Sequence, residues 1–221
     1  MLHIDNLHAF YGKSHVLHGV RFDVGPGEIV ALLGRNGSGR STTAKAIMGM
    51  VESRGEVNWK GQDISGRKPY EIAHLGLGYV PENRDIFPRL TVHQNLMLGQ
   101  KSAKQKGRWS FDDMYGMFPR LKERQHTEAG VLSGGEQQML TICRTLMGNP
   151  DLIMVDEPTE GRTLVAVEHD MGVVFGLADR IAVLVYGEVI AFDTPEAVRA
   201  NRRVQEAYLG SVVADQQAGG H

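Results

Sequence analysis

This chain of 221 residues has a single cysteine, no apolar run approaching the roughly 20 residues that cross a bilayer, and no surplus of either charge. Each shortage excludes something. Cys143, alone in an apolar helical stretch, cannot form an internal disulfide and reads as a small core residue. Lys and Arg total 24 against 26 Asp and Glu, a net charge of −2, which gives no electrostatic footprint for DNA or RNA. The start, Met1-Leu2-His3-Ile4-Asp5-Asn6-Leu7, alternates like a strand and lacks a basic-then-apolar signal pattern. These absences together lead to the expectation of a soluble cytoplasmic protein. His169 set apart, the other eight histidines show no paired ligand spacing on a shared face, so no zinc site is expected. What is present is enough length for one sizeable core with a small subdomain.

The first third reads as strands and turns around one glycine-rich loop. Val16 to Val24 alternates apolar and polar residues up to a turn at Gly25-Pro26-Gly27. Ile29 to Leu33 is a continuous apolar run, the pattern of a strand buried on both faces, and leads through Gly34 to a helix expected from Ser41 to Met48. Glu56 to Trp59 before Lys60-Gly61 suggests a further short strand and turn. The middle, roughly Thr91 to Gly148, is expected to be mostly helical, with Thr91 and Gln94 forming a capping box and Lys101 to Lys106 a solvated basic loop. Asn149-Pro150 ends that region, and Leu152 to Val155 is a second buried strand. The last third returns to strands at Leu164 to Val167, Ile181 to Val185 and Glu188 to Phe192. Thr194 with Pro195 then opens a final helix, and the polar tail from Ser211 is expected to fray. Buried strands interleaved with helices make an α/β fold with a largely parallel core sheet.

Three groups of residues carry chemistry. Gly34-Arg35-Asn36-Gly37-Ser38-Gly39-Arg40-Ser41 fits the phosphate-loop pattern G-x-x-x-x-G-K-[ST] except at Arg40, in the required order of strand, loop and helix. Backbone N–H groups of Gly37 to Ser41 cradle phosphates in such a loop, and the Ser41 hydroxyl ligates Mg²⁺; Gly34, Asn36, Arg40 and Thr42 complete the candidate set. Arginine keeps the charge of the expected lysine but presents a wider planar fork. The expectation is that Arg40 lowers turnover more than affinity. Asp156 closes an apolar strand on the Mg²⁺ side, and Glu157 beside it is placed as general base on an attacking water. His169, after a strand, can hydrogen-bond a γ-phosphate oxygen or position that water. The third group is Leu132-Ser133-Gly134-Gly135-Glu136-Gln137-Gln138, where Ser133 and Glu136 form a capping box that starts a helix at two glycines. A helix start attracts anions, and glycines let a phosphate approach the backbone. Its distance from the phosphate loop suggests a nucleotide held between two subunits. Tyr11, in a loop after the first strand, is a candidate for stacking on adenine.

With these motifs in order, nearly the whole chain resembles the nucleotide-binding subunits of ABC transporters, whose signature motif is matched by Leu132 to Gln138. Finer features resemble the branched-chain amino acid importer ATPases: Gly78 to Val92, Ala46-Ile47-Met48-Gly49, Phe118-Pro119-Arg120-Leu121 and Asp156 to Gly161. The urea importer ATPases are a close second. The resemblance implies a P-loop NTPase with an ABC-type core sheet, an N-terminal antiparallel β subdomain and an inserted helical subdomain. One domain would span 1–221, with an ATP-binding core at about 1–85 and 150–210, helices at about 86–149 and a flexible tail at 211–221. It implies a head-to-tail dimer with a sister ATPase, a homodimer being possible, in which Ser133, Gly134 and Gly135 face ATP on the partner's loop. It further implies that Tyr11 stacks the adenine and His169 is the switch histidine. Glu82, where most of the wider family has glutamine, would contact Mg²⁺ or water, joining Ser41 and Asp156. The assembly would dock on two membrane permeases at the inner face of the plasma membrane, fed by a periplasmic binding protein, with no nucleic acid involved.

One departure stands out. Only Thr159, Glu160, Gly161 and Arg162 separate Pro158 from the next strand, where the family has a D-loop and a whole helix. Neighbouring parallel strands need a crossover of about a dozen residues. Either a stretch of chain around Gly161 to Thr163 is missing from this sequence, which is favoured and predicts a gap well above about 3.8 Å between successive Cα atoms, or an internal deletion has altered the fold. For that reason no D-loop role goes to Glu160 or Gly161. The primary expectation is therefore an ATPase that powers import of small hydrophobic amino acids. The alternative is a nucleotide-gated regulatory partner that turns over poorly beside an active sister. A soluble ABC ATPase of DNA repair or translation is disfavoured by the charge balance and the absence of a coiled-coil insertion.

Overall fold

The computed structural model describes residues 1–101, 107–156 and 177–207. They fall into two compact units, Met1–Lys68 with Gly161–His221, and Pro69–Glu160. In the first unit, strand alternation drives an antiparallel sheet. β1 (Leu2–Tyr11) pairs on one side with β2 (Ser14–Val24) and on the other with β4 (Glu52–Trp59), which carries the two-residue β5 (Gln62–Asp63). Leu2, Ile4, Leu7 and Ala9 are buried with Leu17, Val20, Val57 and Trp59. β4 starts four residues before the expected Glu56, because Glu52, Ser53 and Arg54 pair with Phe10, Ala9 and His8 although they lack apolar alternation. Tyr11 is not in a loop: it is the last residue of β1, opposite Ser14 across the two-residue turn Gly12-Lys13, where Gly12 takes φ +58°. So tight a turn lets the ladder run to its end.

The apolar run at Ile29 becomes β3 (Val30–Gly34), which pairs in parallel with β8 (Arg180–Val185) and continues through an antiparallel edge, β9 (Glu188–Asp193). Ala31, Leu33, Ile181 and Val183 pack with Val198 of α7 (Pro195–Ala200), whose start is capped by the Thr194 hydroxyl accepting from the Ala197 N–H. Arg180 donates through both Nε and Nη2 to the Glu28 carboxylate, and the Gly25 N–H donates to it at 2.5 Å. The Arg180 guanidinium, chiefly, holds the Glu28 carboxyl below its ordinary range. α1 (Arg40–Ile47) follows β3.

The second unit holds a parallel pair, β6 (Leu77–Val80) with β7 (Leu152–Val155), after α2 (Pro69–His74). Between them come α3 (Val92–Gly99), α4 (Phe111–Met117), α5 (Pro119–Glu123) and α6 (Gly134–Met147), bearing out the helical middle. Capping boxes open α3, α4 and α6. The one at Ser110 and Asp113 escaped the sequence reading because aspartate replaces the usual Glu or Gln. Val92, Leu96, Met114, Leu121, Leu140 and Cys143 make the core. Burial pushes the Cys143 thiol up to about 12. α3 approaches α6 so closely that a Cβ on Gly99 would lie 2.1 Å from the Arg144 carbonyl oxygen.

The expected strand at Leu164 to Val167, the connection Thr159 to Arg162, positions 102–106 of the basic loop and the tail from Ser211 lie outside the described residues. Among the described residues no helix is long and apolar enough to cross a membrane.

Candidate functional site

The glycine loop of the first unit is built around positions that favour glycine, for lack of space or for a positive φ. Gly34 ends β3 where a Cβ would sit 2.2 Å from Ser38 Oγ and 2.6 Å from the Leu184 carbonyl oxygen. Gly37 takes φ +78°, and Gly39 takes φ +104° as the residue preceding α1, conformations that favour glycine. The Ser38 N–H donates to the Arg35 carbonyl at 2.9 Å, and the Ser38 carbonyl accepts from Gly187 at 2.9 Å. α1 has no side-chain cap, and no acid lies in its first turn. Unsatisfied N–H groups at such a helix start suit a phosphate. Arg40, at the position of the expected lysine, is only 4% exposed, and its Nη2 donates to Asn36 Oδ1 at 3.4 Å. Ser41 and Thr42 occupy the first turn of α1.

The second unit carries the acidic residues. Asp156 is 1% exposed at the end of β7. Its Oδ2 accepts from the Tyr79 hydroxyl at 2.8 Å, whereas the buried Oδ1 has no hydrogen-bond partner. A buried carboxylate oxygen left unmatched is costly unless something else satisfies it. Within this unit Asp156 and Glu82 offer oxygen donors, the kind a hard Mg²⁺ prefers, and the unmatched Oδ1 fits that use. Glu82 is exposed, just beyond β6. Tyr79 carries no signal of this role in the sequence; only the parallel register of β6 and β7, with Tyr79 opposite Met154, brings its hydroxyl to Asp156.

At the start of α6, Ser133 Oγ accepts from the Glu136 N–H, while Glu136 Oε2 accepts from the Ser133 N–H at 2.8 Å and from Arg124 Nη1 at 3.5 Å. The Ser133 N–H above all holds the Glu136 carboxyl below its usual range. Gly134 and Gly135 are the first two helical residues. A Cβ on Gly135 would meet nothing within 4 Å, and one on Gly134 would meet only the flexible end of Arg84. Among the described residues nothing requires either glycine. The requirement points outward, to whatever approaches this backbone.

Tyr11 presents a ring 47% exposed at the tip of the β1–β2 hairpin. The same hairpin brings together histidines that the sequence keeps apart: register sets His8 opposite His18, and His8 Nδ1 lies 3.0 Å from His15 Nε2. Histidines 7 and 10 positions apart meet only because the chain folds back on itself. Glu157 and His169 lie outside the described residues.

A strand running into a glycine loop and an uncapped helix, with a buried aspartate closing a second apolar strand, defines a phosphate-loop nucleotide-binding protein. Residues 17–160 match the ABC transporter family, and residues 188–214 match the family described as branched-chain amino acid ATP-binding cassette transporter. The chain is 38% identical over 232 residues to the high-affinity branched-chain amino acid transport ATP-binding protein BraG of Pseudomonas aeruginosa, covering 95% of this chain and 100% of that one. It superposes on a nucleotide-free ATP-binding cassette from an ABC transporter with a TM-score of 0.75 at 26% identity, covering 94% of this chain and 98% of the other. A dimeric bacterial ABC transporter cassette gives a TM-score of 0.72 at 25% identity over 88% and 99%. The chain belongs to the ABC transporter family and is one of its ATP-hydrolysing subunits.

Proposed function

We propose that this chain is the ATP-binding and ATP-hydrolysing subunit of an importer for branched-chain, hydrophobic amino acids, working on the inner face of the plasma membrane. The observation that carries the subunit role is the glycine pair at α6, whose absent side chains serve no packing need among the described residues. The likeness to BraG and to the branched-chain transporter family supports the solute class. In this reading the phosphate loop, Gly34 to Thr42, holds ATP with Tyr11 against the adenine. Ser133, Gly134 and Gly135 close over ATP held by a second ATPase, a sister chain or another copy. Ser41, Asp156 and Glu82 would be the ligands of Mg²⁺, which would neutralise charge on the terminal phosphates. Glu157 takes the proton of the attacking water, and His169 orients that water toward the γ-phosphate. The helices of about 86–149 pass closure of the dimer to two permeases, which a periplasmic binding protein supplies with solute.

Arg40 sets the rate of this subunit. Its guanidinium, turned toward Asn36, keeps charge near the phosphates but lacks the compact reach of an ammonium. Arg40→Lys is therefore expected to raise steady-state ATP hydrolysis several-fold, with nucleotide affinity little changed. An unchanged rate would show that Arg40 does not limit turnover, and a wild-type chain that binds no ATP would refute the ATPase reading. The same engagement of Arg40 favours the second reading, a regulatory partner that binds nucleotide but leaves most hydrolysis to its sister.

The short connection after Pro158 belongs to this proposal too. The alignment with BraG runs over 232 positions, whereas 95% of the 221 residues is about 210, so about 22 aligned positions have no counterpart here. That number agrees in size with the loop and helix that the sequence lacks after Pro158. Sequencing the coding region across codons 160–163 decides between the alternatives.

A further inference from the structure

Arg84 sits where a cation is unwelcome. A Cβ placed on Gly134 would lie 2.7 Å from Arg84 Nη1 and 3.0 Å from its Cζ, so the guanidinium lies against the first residue of α6. The N-terminal end of a helix carries partial positive charge and disfavours a second positive group. The backbone of Arg84 is also costly, at φ +63°, a left-handed conformation that non-glycine residues rarely adopt. Two bonds hold it there. The Arg84 N–H donates to the Pro81 carbonyl at 3.4 Å, and the Arg84 carbonyl accepts from the hydroxyl of Thr141, a fully buried residue of α6. The nearby acid, Glu136, is committed to Ser133 and Arg124. Among the described residues no hydrogen bond or ion pair to the Arg84 guanidinium is found.

Backbone strain and a repelled charge at one spot, both fixed by the helix they border, are the marks of a group waiting for a ligand. We propose that Arg84 is a phosphate-binding residue of the signature half-site, reaching with Ser133 and the α6 N–H groups to the terminal phosphates of the nucleotide held by the second subunit. This rests on the reading that Ser133 to Gly135 face another subunit's ATP. An anion there would relieve the charge conflict, and a guanidinium beside a helix start can grip phosphate oxygens from two directions. The placement also links two elements. Thr141 and Arg144 of α6 donate to the carbonyls of Arg84 and Asp85, so the segment that follows Glu82 is tied to the helix that meets the phosphate.

The test measures association of full-length chains driven by Mg²⁺ and the slowly hydrolysed analogue AMP-PNP, followed by sedimentation velocity, beside thermal melting without nucleotide. Arg84→Asn, which suits the left-handed backbone, is expected to weaken association by about tenfold to a hundredfold. It should also raise the melting midpoint by roughly 1–3 °C, because a strained and repelled group has gone. Arg84→Lys should keep part of the association and lose its benefit as salt rises. A purely structural arginine would lower the midpoint on replacement. Gly135→Asp is the control for the underlying reading and should abolish association. If Gly135→Asp abolishes association and Arg84→Asn leaves it unchanged, the role given to Arg84 is wrong while the half-site stands. If Gly135→Asp has no effect, or the wild-type chain associates neither with another copy nor with its co-purified sister ATPase, the half-site reading itself falls and takes the proposal with it.

Discussion

Glu157→Gln in this chain is expected to cut ATP hydrolysis by about a hundredfold to ten-thousandfold, the usual contribution of general acid–base catalysis, while ATP still binds. Glu157 directly follows Asp156, and the aspartate ends β7 with its buried Oδ1 unmatched. Glutamine has nearly the same shape but cannot accept the proton of water. Binding should survive, because the phosphate loop and α1 belong to a different part of the chain. Rates measured with the isolated chain report this directly. In the assembled transporter the same substitution, made in this subunit alone, separates the two readings. A large loss means that this site turns over; unchanged activity means that the sister does the hydrolysis and this chain regulates it.

Gly34→Ala is expected to remove nucleotide binding and to destabilise the chain by about 3 kcal/mol, the upper range for overpacking in a fitted site. The added methyl would stand 2.2 Å from Ser38 Oγ and 2.6 Å from the Leu184 carbonyl oxygen. The serine can turn away, but the carbonyl belongs to β8 and is held in the ladder with β3. Either the loop or the strand pair must shift. Gly37→Ala is the informative contrast: its Cβ would meet nothing within 4 Å, so only the backbone strain at φ +78° remains, about 1–3 kcal/mol. Urea denaturation and equilibrium nucleotide binding of both variants give the comparison. Equal effects would show that packing at Gly34 is not the reason for glycine there.

Much of this arrangement could be read from the residues because local rules and global fold agree. The run from Ile29 to Leu33 could only be a buried strand, and it is β3 in a parallel pair. The capping boxes at Thr91 and Ser133 specified helix starts to the residue. The glycine loop of the candidate site was legible for the same reason, since its turn and close approach depend on glycine spacing. What escaped depends on chain return. Tyr11 reads as loop until Ser14 pairs with it, and His8 has no visible relation to His15 until the hairpin closes. Tyr79 is one aromatic among others until β6 lies beside β7 and its hydroxyl reaches Asp156. Arg84 could not have been found at all, because the conflict it creates exists only where Thr141 ties its loop to α6.

The central claim is that ATP handled by this chain drives entry of branched-chain amino acids, and uptake of labelled leucine into proteoliposomes tests it most directly. The vesicles carry this chain, a second ATPase subunit (another copy or a sister chain) and the membrane permeases, with MgATP and the leucine-loaded binding protein supplied on opposite faces. Uptake is expected to require ATP, to fall to background with Glu157→Gln or Gly34→Ala, and to be competed by isoleucine and valine. Leucine uptake that proceeds equally well without this chain, or a complex that hydrolyses ATP and moves no branched-chain amino acid, would contradict the account.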